Sequence, residues 1–200
     1  MQILFKRDCC AASKRKPLAD KTHVVYQDCS RARRVIGEPG NGDRRDMNCI
    51  PAWVDDRLTP VDKLEVHRRG LRHKAVSVFV MHDERLLIQR RAMGKYHTPG
   101  LWANTCCTHP LWNEPPIECA VRRLGEELGI VGLTPVHRDR IEYRADVGDG
   151  MTEHELVDLF VAEAPGDLEV DPNPDEVMDS RWVDLENLIA DTKVSPHLYT

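Results

Sequence analysis

Two segments carry side chains that could move protons beside a metal ion. Residues 102–110 read Trp-Ala-Asn-Thr-Cys-Cys-Thr-His-Pro, which places Cys107 and His109 two positions apart. In an extended chain two such residues share one face, and the same spacing relates Glu153 and Glu155 in a later segment. A cysteine, several histidines and paired carboxylates therefore predict a metal site that performs proton chemistry.

The elements that must position these residues alternate between strands and helices. Residues 75–81 and 86–88 predict a hairpin around the polar turn 82–85. Its first strand is apolar at both alternating sets of positions, so we expect a sheet covered on both faces. Further strands are predicted at 141–145 and 155–162. With the helices described next, this order predicts a layered α/β domain.

A central helix is predicted from its ends and its periodicity. Pro115-Pro116 suits a first helical turn, and Gly129 ends the apolar pattern. We expect the polar face of this helix to carry Arg123 and Glu127. A second, short helix is predicted at 184–190, with Asp184 as its cap. The apolar positions of the central helix are Ile117, Val121, Leu124 and Leu128.

Composition sets limits on the protein's class. The chain has 200 residues, is 41% hydrophobic and 30% charged, and carries a formal net charge of -5. These values predict a soluble globular protein without a nucleic-acid or membrane partner, and we expect it in the cytoplasm. The seven cysteines contain no Cys-x-x-Cys pair, which favours reduced thiols over a disulfide framework or a thiolate zinc cage.

The two parts of the chain differ in charge. Residues 1–46 hold eleven Lys or Arg and six Asp or Glu, with little apolar periodicity. We expect this basic segment to be a disordered tail or a non-native leader without a functional role, and residues 47–200 to form a single domain.

The central helix and its flanking loops also fit a longer pattern. Glu114, Arg122, Leu124, Glu126-Glu127 and Gly129-Ile130 stand at a spacing that resembles the Nudix box. The resemblance implies a Nudix-like layered α/β/α sandwich with a mixed sheet. It also implies a loop-helix-loop whose carboxylates present Mg²⁺ to diphosphate oxygens.

Two positions depart from the hydrolase version of this box. Thr108 stands where a glycine usually opens it, and Arg123 replaces the glutamate that usually follows the box arginine. Arg122 itself we interpret as structural, holding the loop to the helix through Glu114. The departures disfavour hydrolysis of a nucleoside diphosphate derivative, although a Nudix diphosphate hydrolase stays the alternative function.

One branch of the superfamily shows these departures. From about residue 51 to 182 the chain resembles the type 1 isopentenyl-diphosphate delta-isomerase family. The most specific segment is Asn104-Thr105-Cys106-Cys107-Thr108-His109-Pro110. Supporting motifs are Lys63-x3-His67-x5-His73, Arg90-Arg91-x3-Lys95, Tyr143-Arg144 and Glu153-His154-Glu155.

The resemblance implies a role for each matching residue. Cys107 and Glu155 flank the hydrocarbon as proton-transfer groups, and Tyr143 assists Glu155. Glu127 holds a Mg²⁺ ion shared with the substrate diphosphate. A second divalent ion, which is Mn²⁺, Mg²⁺ or Zn²⁺, is bound by His67, His73, His109, Glu153 and Glu155. The diphosphate charge is met by Lys63, Arg91, Lys95 and Arg123.

The expected activity is therefore the interconversion of isopentenyl diphosphate and dimethylallyl diphosphate. We expect the partner to be a small allylic or homoallylic diphosphate, and the protein to be a monomer or a homodimer. A non-enzymatic alternative is a metal or redox sensor that uses Cys107 and the histidines.

The chain ends at Thr200, before a Pro-Trp segment that the resemblance implies, so we expect a truncated C-terminus. The remaining histidines are interpreted as surface or structural residues: His82, His97, His137, His154 and His197.

Overall fold

The computed structural model describes residues 48–200, so the predicted tail at 1–46 lies outside the described residues. The strands are β1 (Cys49–Val54), β2 (Arg57–Asp62), β3 (His73–His82), β4 (Arg85–Arg91), β5 (Trp102–Ala103), β6 (Cys106–Thr108), β7 (Val136–Gly148), β8 (Met151–Glu163) and β9 (Val177–Asp184). The helices are α1 (Lys63–Arg69), α2 (Pro116–Leu128), α3 (Leu185–Val194) and a 3-10 turn at Pro196–Leu198.

Strand β3 lies at the centre of a mixed sheet. It pairs in parallel with β8 and antiparallel with β1, β4 and β6. The predicted hairpin is confirmed as β3 and β4, joined by a turn in which Asp83 has a φ of 53°. The predicted strands at 141–145 and 155–162 are also present, but both extend to 13 residues as β7 and β8.

Both faces of β3 are covered, as its apolar pattern predicts. Val76, Val78 and Val80 are buried in the core that includes α2. Phe79 and Met81 pack on the other side against a buried cluster that includes Leu188 of α3. Because apolar residues on both faces of a strand gain by leaving water, a layer of helix on each side of the sheet stabilises this arrangement. The α/β/α sandwich with a mixed sheet is thus confirmed.

Helix α2 has its predicted ends but a rotated buried face. Pro116 opens it, and Gly129 closes it with a φ of 66° and no room for a side chain, since a Cβ there would lie 2.8 Å from Asp171 O. The predicted apolar face is wrong for Ile117 and Val121, which are 39% and 45% exposed. The buried face turns instead toward Glu127, which is only 3% exposed although we expected it on the polar face.

Helix α3 starts where its cap predicts. The Asp184 side chain accepts a hydrogen bond from the Asn187 amide at 3.0 Å, satisfying one of the free donors of the first turn. None of the helices in residues 48–200 is long and apolar enough to cross a membrane.

Candidate metal and proton-transfer site

Cys107 lies opposite Ser77 in the antiparallel pair of β6 and β3. Its Sγ donates to Asn104 Oδ1 at 2.6 Å and lies 3.3 Å from Ser77 Oγ. Neighbouring Cys106 points the opposite way into the core beside α2. The thiol of Cys107 is reached by solvent, yet protein surrounds it closely. This enclosure, together with the charges of Glu155 and Glu153, raises the pKa of Cys107 to about 12. The thiol therefore keeps its proton at neutral pH.

The loop before Cys107 is fixed by buried side-chain hydrogen bonds. The Thr105 hydroxyl donates to Leu87 O at 2.6 Å and accepts from the Val80 amide at 2.8 Å. Asn104 Nδ2 donates to Val78 O at 2.9 Å. Because these bonds tie the loop to β3 and β4, the position of the thiol is set by the sheet.

Three histidines and one carboxylate converge beside the thiol. One donor atom from each of His67, His73, His109 and Glu155 lies within 4.8 Å of all the others. They come from α1, the start of β3, the residue after β6 and β8. His73 pairs with Glu155, and alternation along β3 places them on the same sheet face as Ser77 and Cys107.

The histidine tautomers leave lone pairs pointing inward. His67 Nδ1 lies 2.6 Å from Lys63 O, and His73 Nδ1 lies 2.8 Å from Leu71 O. A carbonyl oxygen only accepts, so each Nδ1 carries the proton and each Nε2 carries the lone pair. His73 Nε2 in turn lies 3.2 Å from His109 Nε2, and His109 Nε2 lies 2.9 Å from Glu155 Oε1. Convergent lone pairs and a carboxylate suit a divalent metal ion.

Charge and burial hold these groups in the states that a metal ion requires. Burial and the Lys63 charge together lower the pKa of His109 to about 3, so the ring is neutral. Burial alone would raise the pKa of Glu155. Its contacts with His109 and His73 outweigh this effect and hold the pKa well below its usual range. The set thus offers a neutral imidazole at His109 and an ionised carboxylate at Glu155.

Glu153 lies outside this tight group. It forms a second set with His67 and His97, in which the donor atoms are again within 4.8 Å of one another. Tyr143 joins the two carboxylates, because its hydroxyl lies 2.9 Å from Glu153 Oε2 and 2.7 Å from Glu155 Oε2. Burial and the Glu155 charge raise the pKa of Glu153 to about 7. Burial and the same charges raise the pKa of Tyr143 far above its usual value.

Sequence reasoning missed His97. We interpreted it as a surface or structural residue, and its side chain is only 10% exposed, with Nε2 3.4 Å from Glu153 Oε1. The ring contacts His67 at a centroid distance of 5.9 Å. No spacing motif marks His97 in the sequence. The only feature of the sequence that could have indicated a role for His97 was its position two residues after Lys95, a predicted substrate-binding residue.

A cationic region adjoins the cluster. Lys63, at the start of α1, is largely enclosed, and burial together with Lys95 and Arg123 lowers its pKa to about 8. Lys95 forms an ion pair with Glu176, and Arg123 reaches the same carboxylate at 3.4 Å. Arg91 donates to His97 O at 3.1 Å, and within residues 48–200 its buried Nε has no partner.

Glu127 sits within this cationic region. Arg123 donates to its Oε1 at 2.5 Å, and the buried Gln89 amide donates to its Oε2 at 2.9 Å. Sequence reasoning did not single out Gln89 or Glu176, since neither belongs to a quoted motif. The structural interpretation of Arg122 is confirmed, because its guanidinium donates to both Glu114 oxygens, at 2.6 and 2.8 Å.

Comparison with known proteins identifies the family. Residues 71–199 match the NUDIX domain model. The chain is 70% identical over 151 residues to "Isopentenyl-diphosphate Delta-isomerase" of Dinoroseobacter shibae, covering 76% of this chain and 86% of that protein. It is 58% identical to the protein of the same name from Jannaschia sp., with 76% and 86% covered.

A solved structure supports the fold. The crystal structure of DR0079 from Deinococcus radiodurans aligns with a TM-score of 0.58 and 14% identity over 74% of this chain and 90% of that one. At this identity the likeness concerns the fold alone. The domain match and the identities above establish that the chain belongs to the isopentenyl-diphosphate Delta-isomerase family of Nudix-domain proteins.

Proposed function

We propose that this protein is an isomerase that interconverts isopentenyl diphosphate and dimethylallyl diphosphate, in the supply of isoprenoid precursors. The observation that carries the proposal is the placement of a thiol, Cys107, and a carboxylate, Glu155, on one face of the sheet. The names of relatives up to 70% identical support the same activity.

The reaction needs both groups, because the double bond moves when one carbon gains a proton and another loses one. Cys107 supplies the first proton and Glu155 accepts the second, so no net proton is consumed, and the roles reverse with the direction. Tyr143 hydrogen bonds to Glu155 and fixes its orientation. An alkene is a very weak base, so a positioned acid in a cleft shielded from water is required.

We infer that His67, His73, His109 and Glu155 would hold a divalent ion, because their donor atoms lie within 4.8 Å of one another. Imidazole nitrogens with a carboxylate suit Mn²⁺ or Zn²⁺, and Mg²⁺ is the harder alternative. When bound, this ion supplies positive charge that favours the ionised carboxylate. In this arrangement Glu153 adjoins the ion position through Tyr143.

The substrate diphosphate fits the cationic region. Lys63, Arg91, Lys95 and Arg123 supply positive charge, and guanidinium groups can bind phosphate oxygens through two hydrogen bonds. Glu127 would hold a Mg²⁺ ion shared with the diphosphate. Gln89 and Arg123 hold its carboxylate in place within a buried setting.

A diphosphate hydrolase is the second candidate, favoured by the Nudix-domain match alone. Hydrolysis in such a site depends on clustered helix carboxylates that hold metal ions and activate water. Here Arg123 occupies one cluster position and pairs with Glu126 and Glu127. The extra cation lowers the negative charge available for metal ions, which favours isomerisation.

The deciding experiment follows proton NMR of isopentenyl diphosphate with purified protein and Mg²⁺ in heavy water, alongside a phosphate-release assay. Deuterium-labelled dimethylallyl diphosphate without phosphate release is the expected result, and C107A should abolish the label. Phosphate release with no labelled allylic product would overturn the proposal in favour of hydrolysis.

A further inference from the structure

Glu176 connects two of the cations that the proposed function assigns to the substrate diphosphate. We propose that Glu176 is a positioning residue, which holds Lys95 and Arg123 in the directions that a diphosphate group requires. The inference deepens the proposed function and rests on it in one respect, which is that Lys95 and Arg123 bind the diphosphate.

The two oxygens of the Glu176 carboxylate contact different cations. Oε2 forms an ion pair with Lys95 Nζ, and Oε1 lies 3.4 Å from Arg123 Nη2. Lys95 follows β4, whereas Arg123 lies on α2. All three side chains are partly buried, so water screens this bridge less than it screens an ion pair at the surface. One carboxylate thus joins cations that come from two separate elements of the fold.

The backbone of Glu176 is anchored to both of these elements. Glu176 O accepts a hydrogen bond from the Ala92 amide at 3.0 Å, and Ala92 O accepts one from the Lys95 amide at 3.2 Å. On the other side, the Asn173 amide donates to Glu127 O of α2 at 2.9 Å, and the Glu176 amide donates to Asn173 O at 3.0 Å. These bonds fix the position of the carboxylate relative to the turn after β4 and to α2.

The bridge opposes repulsion between the cations before substrate binds. Lys63 lies in the same region, and the charges of Lys95 and Arg123 add to burial in lowering its pKa. The charges of Glu127 and Glu176 act in the opposite direction. A carboxylate that already holds two long cationic side chains in place reduces the conformational freedom that is lost when the diphosphate binds.

Charge and orientation predict opposite results when Glu176 is neutralised. A carboxylate close to a diphosphate repels it, so charge alone predicts that Glu176→Gln binds a diphosphate more tightly than the wild type. If the carboxylate positions the two cations, E176Q binds it more weakly, although the region has become more positive. The sign of the change in affinity therefore identifies the role of Glu176.

The test measures the binding of methylene diphosphonate, a diphosphate analogue that is not hydrolysed, to the full-length protein with Mg²⁺ by calorimetry. E176Q should bind it about 10-fold more weakly than the wild type, in the range of coupling between neighbours in one ion-pair network. The matched control is D175N, which removes the same charge from the preceding, exposed residue. This variant should change the affinity by less than about 2-fold, because salt screens an exposed charge.

Two further variants separate positioning from a general effect on the fold. E176D keeps the charge but shortens the side chain, so it should bind the analogue more weakly than the wild type and more tightly than E176Q. In a K95M background, E176Q should weaken binding by at most about 3-fold, because the carboxylate acts partly through Lys95. Thermal unfolding without ligand shows whether each variant is folded.

Equal or tighter binding by E176Q would overturn the positioning role, as would a full 10-fold loss in the K95M background. If E176Q does not fold, E176D decides, and an affinity equal to that of the wild type would overturn the role. Turnover plays no part in these measurements. Failure of the heavy-water experiment would therefore leave the binding result intact, and an unchanged affinity in E176Q would leave the proposed isomerase function intact.

Discussion

Ser77 and Cys107 face each other across β3 and β6, with Ser77 Oγ 3.3 Å from Cys107 Sγ. The pair joins β3 to a strand thirty positions later in the sequence, and alternation along β3 continues the same face to His73. One sheet face thus carries the thiol and the first of the metal-binding candidates.

Replacing Cys107 by alanine should reduce isomerisation by at least about 100-fold, because general acid-base groups contribute about 10² to 10⁴ to rate. Turnover is measured by NMR in heavy water. The matched control is C106A, since Cys106 faces the core. It should retain turnover while losing about 1 kcal/mol of unfolding free energy. Equal loss of activity in both variants would contradict the assignment of Cys107.

Divalent metal should stabilise the fold through the histidine cluster. At a Mn²⁺ concentration 100-fold above Kd, the gain in unfolding free energy should be about 2.7 kcal/mol. H109N should lose most of this gain, because His109 contacts both His73 and Glu155. Thermal unfolding with Mn²⁺ and with a chelator measures the effect. An undiminished gain in H109N would rule out the cluster as the binding position.

Arg123→Gln should weaken use of the diphosphate substrate. Hydrogen bonds to charged groups contribute about 1.5 to 3 kcal/mol, which corresponds to about a 10- to 100-fold fall in kcat/KM. R140Q is the control, because Arg140 lies on β7 and pairs with Asp158. Steady-state kinetics of both variants with isopentenyl diphosphate give the comparison, and an unchanged kcat/KM in R123Q would show that the guanidinium does not bind substrate.

Thr105→Val should destabilise the protein by about 1 to 3 kcal/mol, the cost of leaving the buried Val80 amide without its hydrogen-bond acceptor. T105S keeps the hydroxyl and should recover most of the loss. Urea unfolding measures both variants. A stability of T105V equal to that of the wild type would contradict this role of the hydroxyl.

Glu114 should add a pH-dependent contribution to stability. Burial raises its pKa, but the hydrogen bonds from Arg122 and the Leu111 amide outweigh burial and bring it below the ordinary value of 4.5. A depressed pKa in the folded state means that the unfolded state binds the proton more tightly. The contribution is therefore full above pH 4.5 and is lost as the pH falls through the folded-state pKa. Urea unfolding at pH 7 and pH 3.5 should show a smaller pH effect in E114Q than in the wild type, and equal effects would refute the assignment.

Local sequence determined the elements and many of their ends. Helix α2 runs between Pro116 and Gly129, α3 follows the Asp184 cap, and β3 alternates between two covered faces, because capping, proline geometry and apolar periodicity act over a few residues. Residue types at fixed spacing also indicated the family and named the residues of the candidate site.

Tertiary structure decided how those residues meet. Glu153 shares a face with Glu155, yet it joins His97 rather than the tight cluster, and Glu127 is buried against Gln89. These contacts depend on the register between strands far apart in sequence and on how α2 rotates against the sheet. Local periodicity does not report the strand register or the rotation of α2, because the packing of whole elements over the core sets both.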